Sequence, residues 1–166
     1  MVDIISPEKT TPGARGWIEA VSRPKTETTN LGGLDDPAQR PHPEGFQDLL
    51  QSTVVAHVAT IGPEGETQNN PVWFAWDGEY VMFSQTKTRQ KQRNPKITLS
   101  IADPENHLRY LEIRGIVERV EEGPDSEFIN SLSEKYLGVY PYQDQRPGDE
   151  RVVVFVRPRH TTHKDG

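Results

Sequence analysis

The sequence predicts a mainly β fold, a small six-stranded antiparallel barrel with helices at its periphery. Three observations point there. Short apolar and β-branched runs recur between residues 54 and 156, with turn residues between them. Most of these runs are close enough in sequence to pair as hairpins, which argues against a doubly wound parallel sheet. One long amphipathic helical pattern, at 125–137, stands between the last two strands.

Taken in order, Phe46, Leu49 and Leu50 fall on one face of a short helix. Residues 54–61 (VVAHVATI) form the first strand, and Gly62-Pro63-Glu64-Gly65 supplies the turn after it. The second strand covers 67–76 (TQNNPVWFAW), where Pro71, lacking an N–H, implies an edge, a bulge or an unpaired position. Asp77-Gly78 is a two-residue hairpin signal that leads into a third strand at 79–84 (EYVMFS). A cationic stretch follows, with a short helix N-capped by Thr86 or Thr88 and ending near Asn94-Pro95. Residues 97–102 (ITLSIA) are the fourth strand, broken by Asp103-Pro104-Glu105-Asn106. The fifth, 109–121, is long, and Gly115 within it marks a bend or bulge. The segment 125–137 reads as an amphipathic helix through Phe128, Ile129, Leu132, Tyr136 and Leu137, closed by Gly138. After a polar loop, 151–156 (RVVVFV) is the sixth strand, and the last residues are expected to fray.

A chain of 166 residues fits one domain with one extension. The pattern divides it into a proline-rich arm (1–43), the barrel (44–157) and a flexible tail (158–166). Six prolines in the arm disfavour sustained helix or central strand. Yet Ile4, Ile5, Trp17, Ile18, Val21, Leu31 and Leu34 are more large apolar groups than a disordered tail carries. They favour an arm lying on a folded surface, the chain's own or a partner subunit's, over free disorder.

Several function classes drop out. The absence of cysteine excludes disulfides, thiolate metal sites and cysteine nucleophiles, and permits a reducing compartment. With no signal-peptide core and no run near the ~20 apolar residues that span a bilayer, a soluble, cytoplasmic protein is expected. A net charge of −6 argues against non-specific nucleic-acid binding. There is no G-x-S-x-G, G-x-G-x-x-G or Walker A sequence. His160 and His163 have loose metal-ligand spacing without supporting ligands, so no metal site is expected, and His57 reads as a core or interface residue.

The charge is unevenly placed. Residues 84–94 (SQTKTRQKQRN) carry Lys87, Arg89, Lys91 and Arg93 and no acid, a +4 island that leaves −10 for the remainder. Such an island, rich in hydroxyls and amides, suits a local anion such as a phosphate. At ~100° per residue, a helix puts Lys87 and Lys91 on one side and Arg89 and Arg93 on another. All four therefore do not grip one anion. The arrangement that works places the anion at the helix N-terminus with the hydroxyls of Ser84, Thr86 and Thr88, and we select Arg89 and Lys91 as its cations. A solvated basic face is the alternative at this point.

The ordered set Val58-Ala59-Thr60, Gln68-Asn69-Asn70-Pro71-Val72-Trp73-Phe74, Phe83-Ser84-Gln85-Thr86, Arg89-Gln90-Lys91-Gln92-Arg93-Asn94, Leu99-Ser100-Ile101-Ala102-Asp103-Pro104 and Arg109-Tyr110-Leu111-Glu112-Ile113-Arg114-Gly115 resembles the pyridoxamine 5′-phosphate oxidase-like split β-barrel superfamily. Within it, the set is similar to the flavin/deazaflavin branch that uses coenzyme F420. The resemblance covers roughly residues 46–157 and implies an FMN-binding-like split barrel that forms a homodimer, with a cofactor at the interface.

It also implies site residues. Asn70, Pro71, Val72 and Trp73 would lie along the ring of F420 or FMN, and Ser84, Gln85 and Thr86 along the ribityl chain and phosphate. Arg89 and Lys91 would hold the phosphate, the same pair the helix geometry selects. Lys87, Arg93 and Lys96 would meet the acidic tail of F420, with solvated side chains as the alternative. The implied chemistry is hydride transfer to a small unsaturated or quinone-like acceptor, with no catalytic side chain named. Tyr110, Tyr136, Tyr140 and Tyr142 are candidates to line a substrate pocket or donate a proton, against simple packing. An FMN-dependent oxidase or reductase and a non-catalytic flavin, F420 or haem carrier are the other readings of the same fold.

Overall fold

A computed structural model describes residues 45–87, 95–123 and 126–166. Among them the elements are α1 (Gln47–Gln51), β1 (Ala56–Ile61), β2 (Thr67–Val72), β3 (Phe74–Trp76), β4 (Val81–Thr86), β5 (Lys96–Ala102), β6 (Arg109–Glu122), α2 (Glu127–Leu137) and β7 (Arg151–Asp165). The arm expected over 1–43 lies outside the described residues, as does the short helix expected in the cationic segment.

The seven strands form one sheet in the order β2-β1-β5-β6-β7-β4-β3, and neighbours run antiparallel throughout. Its two edges, β2 and β3, are joined by one residue, Trp73. A flat sheet of this width would hold its edges ~29 Å apart at ~4.8 Å per strand, whereas two Cα positions flanking one residue lie within ~7 Å. The sheet is therefore rolled until its edges meet, giving a barrel split between β2 and β3.

This corrects the strand count from six to seven. The expected strand at 67–76 breaks at Trp73 because its first part pairs with β1 and its last part with β4. Pro71 faces His57 of β1, and its missing N–H is tolerated because β2 is an edge. The following turn also differs from the two-residue hairpin. It uses residues 77–80, with Asp77 Oδ1 accepting from the N–H of Glu79 (2.8 Å) and of Tyr80 (2.7 Å), so β4 starts at Val81. Gly78 supplies the φ of 97° that this turn requires.

Two apolar layers flank the sheet. Inside the barrel, Phe74, Val81, Phe83, Leu99, Leu111 and Val154 are buried together, and Leu49 and Leu50 of α1 join them. Outside, α2 lays Phe128, Ile129 and Leu132 on Ala75, Met82, Val153 and Phe155. With both faces covered, the start of β7 is apolar at consecutive positions: Val152, Val154 and Val156 point inward, Val153 and Phe155 toward α2.

The expected frayed tail is strand instead. β7 runs to Asp165, with Thr161 opposite Ile113 and His163 opposite Leu111. Its ladder is made by backbone groups, so polar side chains hide it from any search for apolar alternation. At the same end of the barrel, Arg109 fixes α1. Its guanidinium donates to both carboxylate oxygens of Asp48 (2.7 Å each), to Asp103 Oδ2 (2.9 Å) and to the Gly45 carbonyl (2.8 Å). These bonds hold the Asp48 and Asp103 carboxyls below their ordinary values.

Gly115 sits at a register shift between β6 and β7, as the sequence suggests. A Cβ there would stand 2.6 Å from Val156 Cγ1 and 2.8 Å from the Arg157 carbonyl oxygen. Because one obstacle is backbone, Gly115→Ala should destabilise the fold by ~1–3 kcal/mol in urea denaturation. A change within ~0.5 kcal/mol would show that the two strands separate freely at this point.

Candidate functional site

The β3–β4 hairpin fixes the site's frame. Phe74 faces Phe83, and past that pair the chain leaves on one side through Val72, Pro71 and Asn70, and on the other through Ser84, Gln85 and Thr86. There β2 turns to pair with β1 while β4 continues along β7, so the two segments border the split from opposite sides. Asn70 and Pro71 are exposed, whereas Val72, Trp73, Ser84, Gln85, Thr86 and Lys87 are half-buried. Most of the residues expected to bind a cofactor thus come to one place. Arg89 and Lys91 lie outside the described residues.

Trp73 is held by α2. Its indole stacks on Tyr136 (centroids 5.4 Å apart, planes 17° apart) and meets Tyr142 edge-on at 5.9 Å. The Tyr136 hydroxyl accepts the Phe74 N–H at 3.1 Å and lies 3.2 Å from the carbonyl oxygens of Val54 and Phe74, to one of which it donates. Burial pushes this hydroxyl up to about 12. The tyrosine is therefore a structural clamp at neutral pH. Among its fellow candidates, Tyr110 is half-buried on β6, and exposed Tyr140 has its hydroxyl 3.4 Å from Glu127.

Two residues that the sequence analysis did not single out belong to this region. Lys135 Nζ donates to the Phe74 carbonyl at 3.2 Å and lies over the rings of Phe74 (5.1 Å) and Tyr136 (5.0 Å). Burial lowers its amine to about 8. Nothing in the sequence separates it from a solvated lysine in the last turn of a helix. Arg151 opens β7 opposite Thr86, with its guanidinium 5.0 Å from the Tyr142 ring centroid and its Nε buried without an acceptor among the described residues. In sequence it is merely the polar flank of an apolar strand.

Lys87 is committed elsewhere: its Nζ meets Glu122 at 2.8 Å and Glu150 at 3.4 Å, which raises its pKa. His57 is exposed on β1, not core, because odd positions of that strand face outward. His160 and His163 stand in the β7 ladder, the latter against the Phe46 ring at 5.0 Å. No cluster of three metal-ligating side chains occurs among the described residues. The Ser84 hydroxyl and the Arg151 Nε, which has no acceptor among the described residues, are donors of the kind that fits an oxyanion such as a cofactor phosphate.

A family model described as pyridoxamine 5′-phosphate oxidase matches residues 43–163. The chain belongs to this family. The matched region includes nearly all of β7, in keeping with a paired C-terminal strand. Among solved structures, an F420 reductase is 40% identical over 72% of this chain and 98% of its own, with a TM-score of 0.65. A conserved hypothetical protein from Mycobacterium tuberculosis is 26% identical, covering 71% of this chain and 81% of its own, with a TM-score of 0.57. HupZ from Group A Streptococcus, at 21% identity, a TM-score of 0.53, and coverage of 73% of this chain and 93% of its own, shares the fold. No curated protein matches the sequence. Family membership supports a flavin-type oxidoreductase. No described helix is long and apolar enough to cross a membrane.

Removing the clamp hydroxyl has a direct cost. Tyr136→Phe leaves the Phe74 N–H without its acceptor and should lower stability by ~1–3 kcal/mol in urea denaturation; an unchanged midpoint would show that the corner is held by packing alone. Lys135 gives a pH signature. Its folded-state pKa of about 8 lies below the ordinary 10.5, so between those values the unfolded chain binds more protons and stability rises with pH. Wild type should therefore gain stability relative to Lys135→Met between pH 8 and pH 10.5; parallel curves over that window would mean an unperturbed amine.

Proposed function

We propose that this chain is an F420-dependent oxidoreductase that transfers a hydride between reduced deazaflavin and a small organic acceptor. The observation that supports this most is the 40% identity to an F420 reductase over 72% of this chain. In this reading Asn70, Pro71, Val72 and Trp73 line the ring, Ser84, Gln85 and Thr86 follow the ribityl chain, and Arg89 and Lys91 hold the phosphate. Bound deazaflavin supplies the hydride-bearing carbon. The chain's own residues orient and enclose. Trp73 is immobilised by Tyr136 and Tyr142, and Pro71 keeps the sheet edge from pairing onward. Lys87, which also meets Glu122 and Glu150, is assigned with Arg93 and Lys96 to the acidic tail.

A homodimer with the cofactor at its interface belongs to the same proposal. Leu137 and Val139, exposed at 60% and 40% just past the Tyr136 clamp, offer apolar surface for it. The family match to pyridoxamine 5′-phosphate oxidase also supports FMN as the alternative cofactor.

Titration of the purified protein with F420 and with FMN tests the reading. Micromolar F420 binding without FMN binding is expected, and FMN copurifying with a protein that ignores F420 would reverse the choice. Arg89→Ala and Lys91→Ala should each weaken cofactor binding by ~1–3 kcal/mol. Unchanged affinity in both variants would remove the phosphate assignment.

A further inference from the structure

We propose that Arg151 is an anion-binding residue, contributed by β7, that reads the phosphate of the bound cofactor; this rests on the cofactor reading above. Thr86 and Arg151 are direct partners in the β4–β7 ladder. Antiparallel partners project from the same face with Cβ atoms ~5 Å apart. Ser84 shares that face, being two residues from Thr86, so its hydroxyl and the guanidinium line one side of the sheet. The guanidinium rests over Tyr142, whose ring meets Trp73, so an unbroken set of contacts leads from Arg151 to the link at the split.

Among the described residues Arg151 has no carboxylate partner, unlike four other arginines of the sheet. Arg109 holds Asp48 and Asp103, Arg114 holds Glu112, Arg119 holds Glu121, and Arg157 holds Glu79 and Glu118. Among the described residues, the glutamates nearest it in the ladder and along the chain have other partners. Glu121, opposite Val153 on the same face, is bound by Arg119, and Glu122 and Glu150 are bound by Lys87. On the β6 side the chain offers Gly123, whose N–H donates to the Arg151 carbonyl at 3.0 Å and which brings no side chain. A buried guanidinium nitrogen without an acceptor costs stability, and an arriving oxyanion repays it. Nε–H and one Nη–H form the planar fork that matches two phosphate oxygens, a fit no lysine reproduces.

The test compares F420 with its phosphate-free deazariboflavin core on wild type, Arg151→Gln and Arg151→Lys, with FMN and riboflavin as the parallel pair. Arg151→Gln should weaken the phosphate-bearing ligand ~10-fold or more while leaving the phosphate-free core within ~2-fold, and Arg151→Lys should recover part of the loss. Thermal midpoints of both variants check that folding is intact. Equal losses for both ligands, or no loss for either, would overturn the assignment in favour of a role confined to packing on Tyr142. If wild type binds none of the four ligands, the cofactor reading itself falls. Inorganic phosphate then decides the rest: a rise in thermal midpoint in wild type that Arg151→Gln abolishes keeps the anion site, and no rise in wild type removes it.

Discussion

One residue joins the two edges of a seven-stranded sheet, and the remaining architecture answers to that constraint. The backbone around Trp73 has to leave one ladder and enter another, so its polar groups cannot all be satisfied by strand neighbours. The Tyr136 hydroxyl supplies the acceptor that the Phe74 N–H lacks. From the same helix, Asn130 accepts the Tyr142 N–H at 3.0 Å and so positions the loop that leads into β7. Helix α2 thus does more than cover the outer face. It sets the corner, the loop and the aromatic contacts between them.

Electrostatics follow the same division. On the solvent side, cations are matched by carboxylates: Arg157 with Glu118 and Glu79, Arg119 with Glu121, Lys87 with Glu122 and Glu150. Such pairs contribute little individually to stability. Lys135 and Arg151, beside the aromatic cluster, have no carboxylate partner among the described residues, and burial makes such a cation costly.

Much of the fold was legible because apolar alternation, Gly62-Pro63-Glu64-Gly65 and Gly138 mark elements through local chemistry. Gly115 was legible for the same reason. What escaped was set by tertiary pairing. The break at Trp73 depends on which strand each half meets, and the polar end of β7 depends on β6 lying alongside. Asp77-Gly78 announced a turn but not its four-residue length, which the Asp77 carboxylate fixes. Asn70, Trp73, Ser84 and Thr86, which border the split, are singled out together by motifs whose order mirrors the topology. Lys135 and Arg151 are not, since only burial and missing partners distinguish them from ordinary surface cations.

β7 also dictates an order of assembly. Its first residues pair with β4 on one side and β6 on the other. Before that strand is in place, β2-β1-β5-β6 is one sheet fragment and β4-β3 another, joined covalently at Trp73 but sharing no ladder. Pairing so far apart in sequence is slow to form, because loop closure must precede any gain in contact energy. Asn70 belongs to the first fragment and Ser84 to the second, so the two banks of the split face each other only once β7 has docked. Any molecule that touches both banks can bind only the finished barrel, and by mass action it acts as a brace against the opening of those halves.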